Sequence, residues 1–215
     1  MGAKSTKDLQ VCITKGDATP TVEVPTTITS AAPAVVTLVG GAGIDGDIVT
    51  ITGTGMPSLD GKSFVIASAT ATEYTLLGSD TSGETWGSPV SPSMALYQDA
   101  DIECLCLSSL VLNVDEPSTI SVATFCDPTA TIASAVLAAG TISFAGFVNI
   151  LDSDYQELLD AAADGIERVM RIMLPDNGYL VAPMTFSQVT WDLPLDGAVG
   201  YTGTAVLSTA MIHQF

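Results

Sequence analysis

With 215 residues, 47% of them hydrophobic and only 14% charged, the chain has ample material for a buried core and is not composed like a disordered polymer. Acidic side chains outnumber basic ones 24 to 6, a formal charge of −18, and half of the cations (Lys4, Lys7 and Lys15) lie near the amino end. So negative a surface repels phosphate, which excludes a conventional nucleic-acid binder, because such proteins need lysine and arginine to displace counterions. No apolar run approaches the roughly 18–20 residues that span a bilayer. The opening Met1-Gly-Ala-Lys-Ser-Thr-Lys-Asp-Leu9 lacks the apolar centre of an export signal. Met1, Gly2 and Thr6 fit the loose myristoylation pattern, which is short and common, so no membrane partner is expected.

Residues 1–23 read as an arm and one strand. Leu9-Gln-Val-Cys-Ile13 alternates, and Lys15 to Pro20 turns the chain. The composition then shifts. Between 24 and 95, apolar runs at 35–39, 48–51, 64–66 and 74–77 are separated by glycine-rich punctuation, the pattern of a small inserted all-β module. The Ser/Pro-rich stretch at 88–93 reads as its exit linker. Two nucleotide motifs nearly occur inside it. Gly41, Gly43 and Gly46 fit G-x-G-x-x-G but join strand to strand, with no helix to receive a pyrophosphate. Gly61-Lys62-Ser63 resembles the end of a P-loop, but Met56 stands where its first glycine should be and a strand follows.

From 96 to 215 the strands lengthen, with alternating runs at 101–114, 119–125 and 141–148; the Ala-rich stretch at 126–140 is either a loop or a helical turn. Next comes an amphipathic helix at 153–165. Tyr155, Leu158, Leu159, Ala162, Ala163 and Ile166 recur at steps of three and four and form its core-facing stripe. Ser153 and Gln156 have capping-box spacing, Asp152, Asp154 and Glu157 suit the positive end of the helix dipole, and Gly165 ends the helix. Ile142, Phe144 and Val148 face one way along their strand and should meet this stripe. Strands at 167–174, 179–181, 186–193 and 201–212 follow, with hairpin turns at Pro175-Asp-Asn-Gly178 and Asp196-Gly197.

Candidate chemistry is sparse. Cys104 and Cys106 share one face of a strand, but a zinc site would have to draw on Cys12 or Cys126 from elsewhere, besides His213. Free buried thiols are the plainer reading, and without an export signal no disulfide is expected. His213 is the only histidine, so a Ser-His-Asp or Cys-His site has one possible base, and no G-x-S-x-G elbow accompanies it; a strand or tail position at a subunit contact suits it better. Asp152, Asp154 and Glu157 are the densest carboxylate cluster, and helix-start electrostatics already accounts for them. No catalytic, cofactor-binding or metal-ligating residue is therefore assigned.

Thr141-Ile-Ser-Phe-Ala-Gly146, Leu158-Leu-Asp-Ala-Ala-Ala-Asp-Gly165, Leu174-Pro-Asp-Asn-Gly178, Phe186-Ser-Gln-Val189 and Pro194-Leu-Asp-Gly197 occur in an order that resembles the tail tube (major tail) proteins of long-tailed bacteriophages. The resemblance covers about residues 1–23 and 96–215. It implies an antiparallel β-sandwich or barrel with one flanking helix, and stacked hexameric rings whose inner wall is a barrel built from one sheet of each subunit. DNA leaves the capsid through that bore. The inserted stretch resembles small β modules of phage virion proteins, some likened to a catalytic-cysteine half-domain of ubiquitin-activating enzymes; the matching segments are 28–35, 46–49, 59–64 and 76–83. No cysteine lies between Val24 and Ala95, so nothing catalytic carries over.

The expectation is a mainly β structural protein of the virion tail, assembled in the bacterial cytoplasm, that self-associates and meets a terminator, a baseplate or initiator and, if there is one, a sheath. DNA would pass an acidic lumen without binding. The alternatives are a capsid decoration or host-adhesion protein, which shares the acidic β-rich profile, and a carboxylate hydrolase.

Overall fold

In the computed structural model the strands pair antiparallel throughout, in two large sheets that each fold back on themselves, flanked by one α-helix. The structure describes residues 9–41, 43–86, 92–113, 119–121, 131–133, 140–148, 151–174, 178–193, 198–209 and 211–214. The 1–8 arm with its myristoylation pattern, most of the 88–93 linker and the 126–140 stretch, and the turns at 175–177 and 196–197 lie outside the described residues.

The first sheet holds β1 (Gln10–Thr14), β9 (Ile102–Leu105), β10 (Leu107–Asn113), β13 (Thr141–Phe147), β14 (Arg168–Met173), β15 (Tyr179–Asp192), β16 (Gly200–Leu207) and β17 (Ile212–Gln214), in the order β10-β13-β16-β15-β14-β1-β9 with β17 beside β15. Two runs of chain serve both halves of it. β15 pairs with β14 through Tyr179–Met184 and with β16 from Met184 to Asp192, the change marked by a bulge between Phe186 and Gln188. β9 and β10, the terminal strands, are separated by Cys106 alone; one pairs with β1 and the other with β13. The single strand expected over 101–114 is thus broken at Cys106, where the chain crosses from one layer to the other. A bulge lets a strand bend and re-aim its side chains, which is what such a crossing requires.

Between the two layers lies one core, made by Val11 and Ile13 of β1, Ile142 and Phe144 of β13, Met170 and Ile172 of β14, Met184 and Phe186 of β15, and Tyr201, Ala205 and Leu207 of β16. Gly203 and Gly146 sit in strand interiors because a Cβ there would run into the rings of Phe144 and Tyr201. Phe144 and Phe186 meet edge to face at 5.6 Å.

The second sheet repeats the plan with β2 (Thr21–Glu23), β3 (Pro25–Ile28), β4 (Ala34–Leu38), β5 (Ile48–Thr52), β6 (Lys62–Ala67), β7 (Glu73–Leu76) and β8 (Ser93–Tyr97), ordered β2-β8-β5-β6-β7-β4-β3. Its terminal strands β2 and β3 are separated by Val24 alone, and β6 pairs with β5 at one end and β7 at the other. Met56, Leu59, Phe64, Tyr74 and Leu96 fill it. Its strands begin at Thr21 and end at Tyr97, slightly outside the 24–95 bounds that composition suggests, because 21–23 pairs with Met94–Leu96. A separate antiparallel pair joins β11 (Thr119–Ser121) to β12 (Thr131–Ala133).

Several strands are apolar on both faces, and the layering explains it. β1 turns Val11 and Ile13 inward but Cys12 outward; β14 does the same with Val169, and β15 with Val181. These outward residues meet Ile48 and Val65 of the second sheet in a third apolar cluster. Arg171 of β14 donates to the Gly46 carbonyl across the same junction.

Helix α1 (Ser153–Asp164) lies against β9 and β15. Tyr155, Leu158 and Ala161 are buried in the first core, with Leu159 and Ala162 packed against it. The stripe expected from sequence is therefore displaced. At about 100° per residue the buried arc is centred between Tyr155 and Ala161, which leaves Ala163 on the exposed side. Ile166 is 54% exposed because Gly165, with φ of 64°, takes the chain out of the helix before it. The capping box also does not form: Asp152 is the N-cap residue, and the Ser153 hydroxyl instead donates to Glu103 at 2.7 Å.

Two cysteine expectations fail in the structure. Cys12 and Cys104 stand opposite one another on β1 and β9 and are joined as a disulfide, and Cys106, beyond the end of β9, is an exposed free thiol. The apposition comes from pairing across 92 residues of chain, a separation that hides it from any local pattern.

Candidate functional site

The layer formed by β10, β13, β16 and the second half of β15 has one face in the core and one face bare. Alternation divides the residues. Leu110 and Leu112, Ile142 and Phe144, Tyr201 and Ala205, and Phe186 point inward, while their neighbours form ladders across the bare face. One ladder is Asn113, Thr141, Val206 and Thr185; the next Val111, Ser143, Thr204 and Gln188; the third Ser109, Ala145, Thr202 and Thr190. A shallow depression runs across the second and third. Ser187, displaced by the bulge, shares a hydrogen bond of 2.8 Å with Thr204. No acid and no base occurs in these three ladders; Asp192, paired with Gly200, stands at the rim.

Both lateral edges of the layer are open among the described residues. No strand pairs with the outer side of β10, and β14 ends at Arg168 opposite Met184, so β15 has no strand partner on that side from Thr185 to Asp192. Near the latter edge Trp191 donates to the Tyr155 hydroxyl at 2.6 Å, and Leu193, just past the end of β15, is an exposed apolar group.

The acids gather elsewhere, and several have structural work. Asp154 accepts the Cys106 amide at 2.8 Å, and Glu157 accepts the Gly16 amide at 2.7 Å. Arg168, 2% exposed, is held by Asp164 at 2.6 Å and Glu157 at 3.4 Å. Partial burial works to raise the Asp164 carboxyl, but the Ile166 amide and the Arg168 guanidinium hold it below the usual range. Asp154 and Glu157 at the helix start thus fasten α1 to the backbone just past the ends of β9 and β1. The charge of Asp154, with burial second, pushes the Cys106 thiol up, away from the thiolate a nucleophile needs. Burial first, then the Asp154 charge, pushes Tyr201 up to about 12. In the second sheet Tyr74 donates to the buried Glu23 at 2.9 Å, and desolvation with that neighbour raises its phenol strongly.

Among the described residues no three metal-ligating side chains converge, and no helix is long and apolar enough to cross a membrane. His213 lies on β17, paired with Leu180. Of the helix-face residues predicted, Tyr155 and Leu158 reach the core with Leu159 and Ala162 beside them, and Ala161 was missed although it stands one turn from Leu158. The bare face was missed as a surface. Its signal was present in the alternation of Ser109, Val111 and Asn113, of Ser143 and Ala145, and of Thr202, Thr204 and Val206, but each run reads by itself as an ordinary solvated strand.

No protein-family model matches the chain, and no curated protein does. Among solved structures it is similar to a chain described as "Virion of native gene transfer agent (GTA) particle", with a TM-score of 0.44 and 16% identity over 55% of this chain and 92% of that one. It is similar also to a chain described as "Tail of empty GTA particle computed with helical refinement, C6 symmetry", with a TM-score of 0.44 and 16% identity over 54% and 89%.

Proposed function

We propose that the chain is the repeating subunit of a long-tailed phage tail tube: copies join side by side into rings of six, the rings stack, and DNA is ejected through the bore. One observation carries the reading, the open backbone along both edges of the β10-β13-β16-β15 layer. Unpaired strand edges are templates for another strand, and a head-to-tail contact that repeats by rotation closes a ring. The shape of the subunit supports closure in one sense. The core, the second layer and the whole second sheet lie behind one face of this layer, and the other face is bare. Copies joined at their edges crowd on the bulky side, so the wall curves toward the bare face, which becomes the lining. Ring stacking is a second contact that need not close, and it yields a filament.

On this reading the chain does no bond chemistry. It belongs to the virion tail, is assembled in the host cytoplasm, and meets a terminator, a baseplate or initiator and a sheath if the tail is contractile. The cytoplasm is reducing, so the Cys12–Cys104 bond closes after release. The second sheet, residues 21–97, is an outward knob.

Alternate amides of an edge strand point away from its partner, so of the neighbouring variants Val111→Pro and Leu112→Pro one spares the β10–β13 ladder. That variant is expected to keep its circular dichroism and to lose pelletable polymer. A folded member of the pair that polymerises like the parent would contradict the edge contact.

A further inference from the structure

The net charge leads to an acid-lined bore, yet among the described acids only Asp192, at the rim beside Gly200, stands on the bare face. The described residues include eighteen Asp and Glu, and the three ladders of this face hold no acid and no base, only Ser, Thr, Val, Ala, Asn and Gln. On a chain with a formal charge of −18 such segregation needs a reason. Burial against a second copy is one candidate, but contact cores favour aromatic and aliphatic anchors and are poor in serine. A face of Ser109, Ser143, Thr202 and Thr204 stays wet, and its hydroxyls make ordinary hydrogen bonds with water.

Resting on the tube reading, we propose that the surface past which DNA moves is this hydroxyl-bearing face, uncharged across its three ladders with Asp192 at the rim, and that the other described acids act outside the bore. A lining of lysine would release counterions and hold the duplex. A lining of acid would repel phosphates over about a Debye length, roughly 10 Å at 0.1 M salt, and so narrow the usable bore. A neutral hydroxyl wall does neither. It lets the duplex keep its counterions and hydration shell, and every sequence meets the same surface. The fit is to a hydrated linear polyanion in transit, with neither affinity nor exclusion supplied by formal charge on the wall.

The test uses assembled material carrying Cys106→Ser and Cys126→Ser, with Thr204→Cys on the bare face or Asp160→Cys on the exposed side of α1. N-ethylmaleimide is expected to modify both positions in tubes, whereas a maleimide on a long polyethylene glycol chain modifies only the Asp160→Cys position. Equal access of the bulky reagent to both would place the bare face outside and overturn the inference while leaving the tube intact. Absence of tubes from the unsubstituted protein would instead remove the tube reading, and the inference with it. In particles with Thr204→Cys, aminoethyl methanethiosulfonate adds one positive charge per subunit after assembly, and methyl methanethiosulfonate adds none. The cationic adduct is expected to slow DNA ejection at least about tenfold at low salt, recovering as salt rises, and the neutral adduct to leave it unchanged. Equal rates with the two adducts would overturn the proposal.

Discussion

Cys106 and its neighbour Asp154 illustrate how single residues in this chain are tuned by contact rather than by sequence spacing. The Asp154 carboxylate takes the Cys106 amide and stands against its thiol, so the neutral thiol is the favoured form in the folded protein. The sign follows directly. With the folded value above the ordinary one, alkylation of Cys106 should lag behind that of a free thiol as pH rises through about 8.5, and folding loses stability only above that range. In Asp154→Asn the rise in alkylation rate should move to lower pH; an unmoved profile would remove the electrostatic cause. Asp164 has the opposite sign. Its carboxyl is depressed, so the stability it lends through Arg168 is present above about pH 4 and is lost as pH falls through the folded value. Neither pairing was legible beforehand: Cys106 meets Asp154 only through the packing of α1 beside β9, and although Asp164 and Arg168 stand four apart, Gly165 ends the helix between them, so helical spacing does not predict the pair. The same holds for Cys12 and Cys104, which lie far apart in the chain and become partners when β1 enters between β14 and β9.

The elements themselves were easier to read. Alternation located β13, where one face is buried and the other is not, while β4 stood out as a short apolar run between turns. The helix was found from its apolar period, but its rotation was not, because the period tolerates a shift of one residue and small alanines give little contrast between Ala161 and Ala163. The distinction has an energetic consequence. Leu158 is fully buried and Leu159 only in part, so Leu158→Ala should cost about 2–5 kcal/mol in denaturant unfolding. Ile166→Ala, with most of its side chain already in water, should stay within about 0.5 kcal/mol. Equal costs at the two positions would mean that α1 is rotated from the placement described. Crossing strands were the least legible elements. Val24 and Cys106 look like any other strand residue, and nothing local marks where a run leaves one layer for the next.

At the scale of the molecule, two sheets of similar plan are stacked through a small apolar contact. The chain leaves the first at Thr14, builds the whole second sheet, and returns at Ile102, with the disulfide bridging exit and return. In the chain-entropy view a link closing so long a loop contributes up to about 4–5 kcal/mol, and measured values are often smaller. In composition this stretch stands apart, its short strands punctuated by glycine between longer strands on either side. The second sheet reaches a few residues beyond it because β2 and β8 complete the pairing. Replacing residues 21–97 by a short glycine-serine linker should leave a folded protein that still polymerises, since both open edges belong to the other sheet. Loss of all polymer from a folded deletion variant would make the second sheet part of the wall.

The central claim concerns repetition: the open edges of β10 and β15 join copies around a hole. Negative-stain electron microscopy of the purified protein at high concentration looks at this directly. The account predicts hollow tubes of constant width built from stacked rings. A field of monomers, or of small closed particles with no channel under the same conditions, would contradict it.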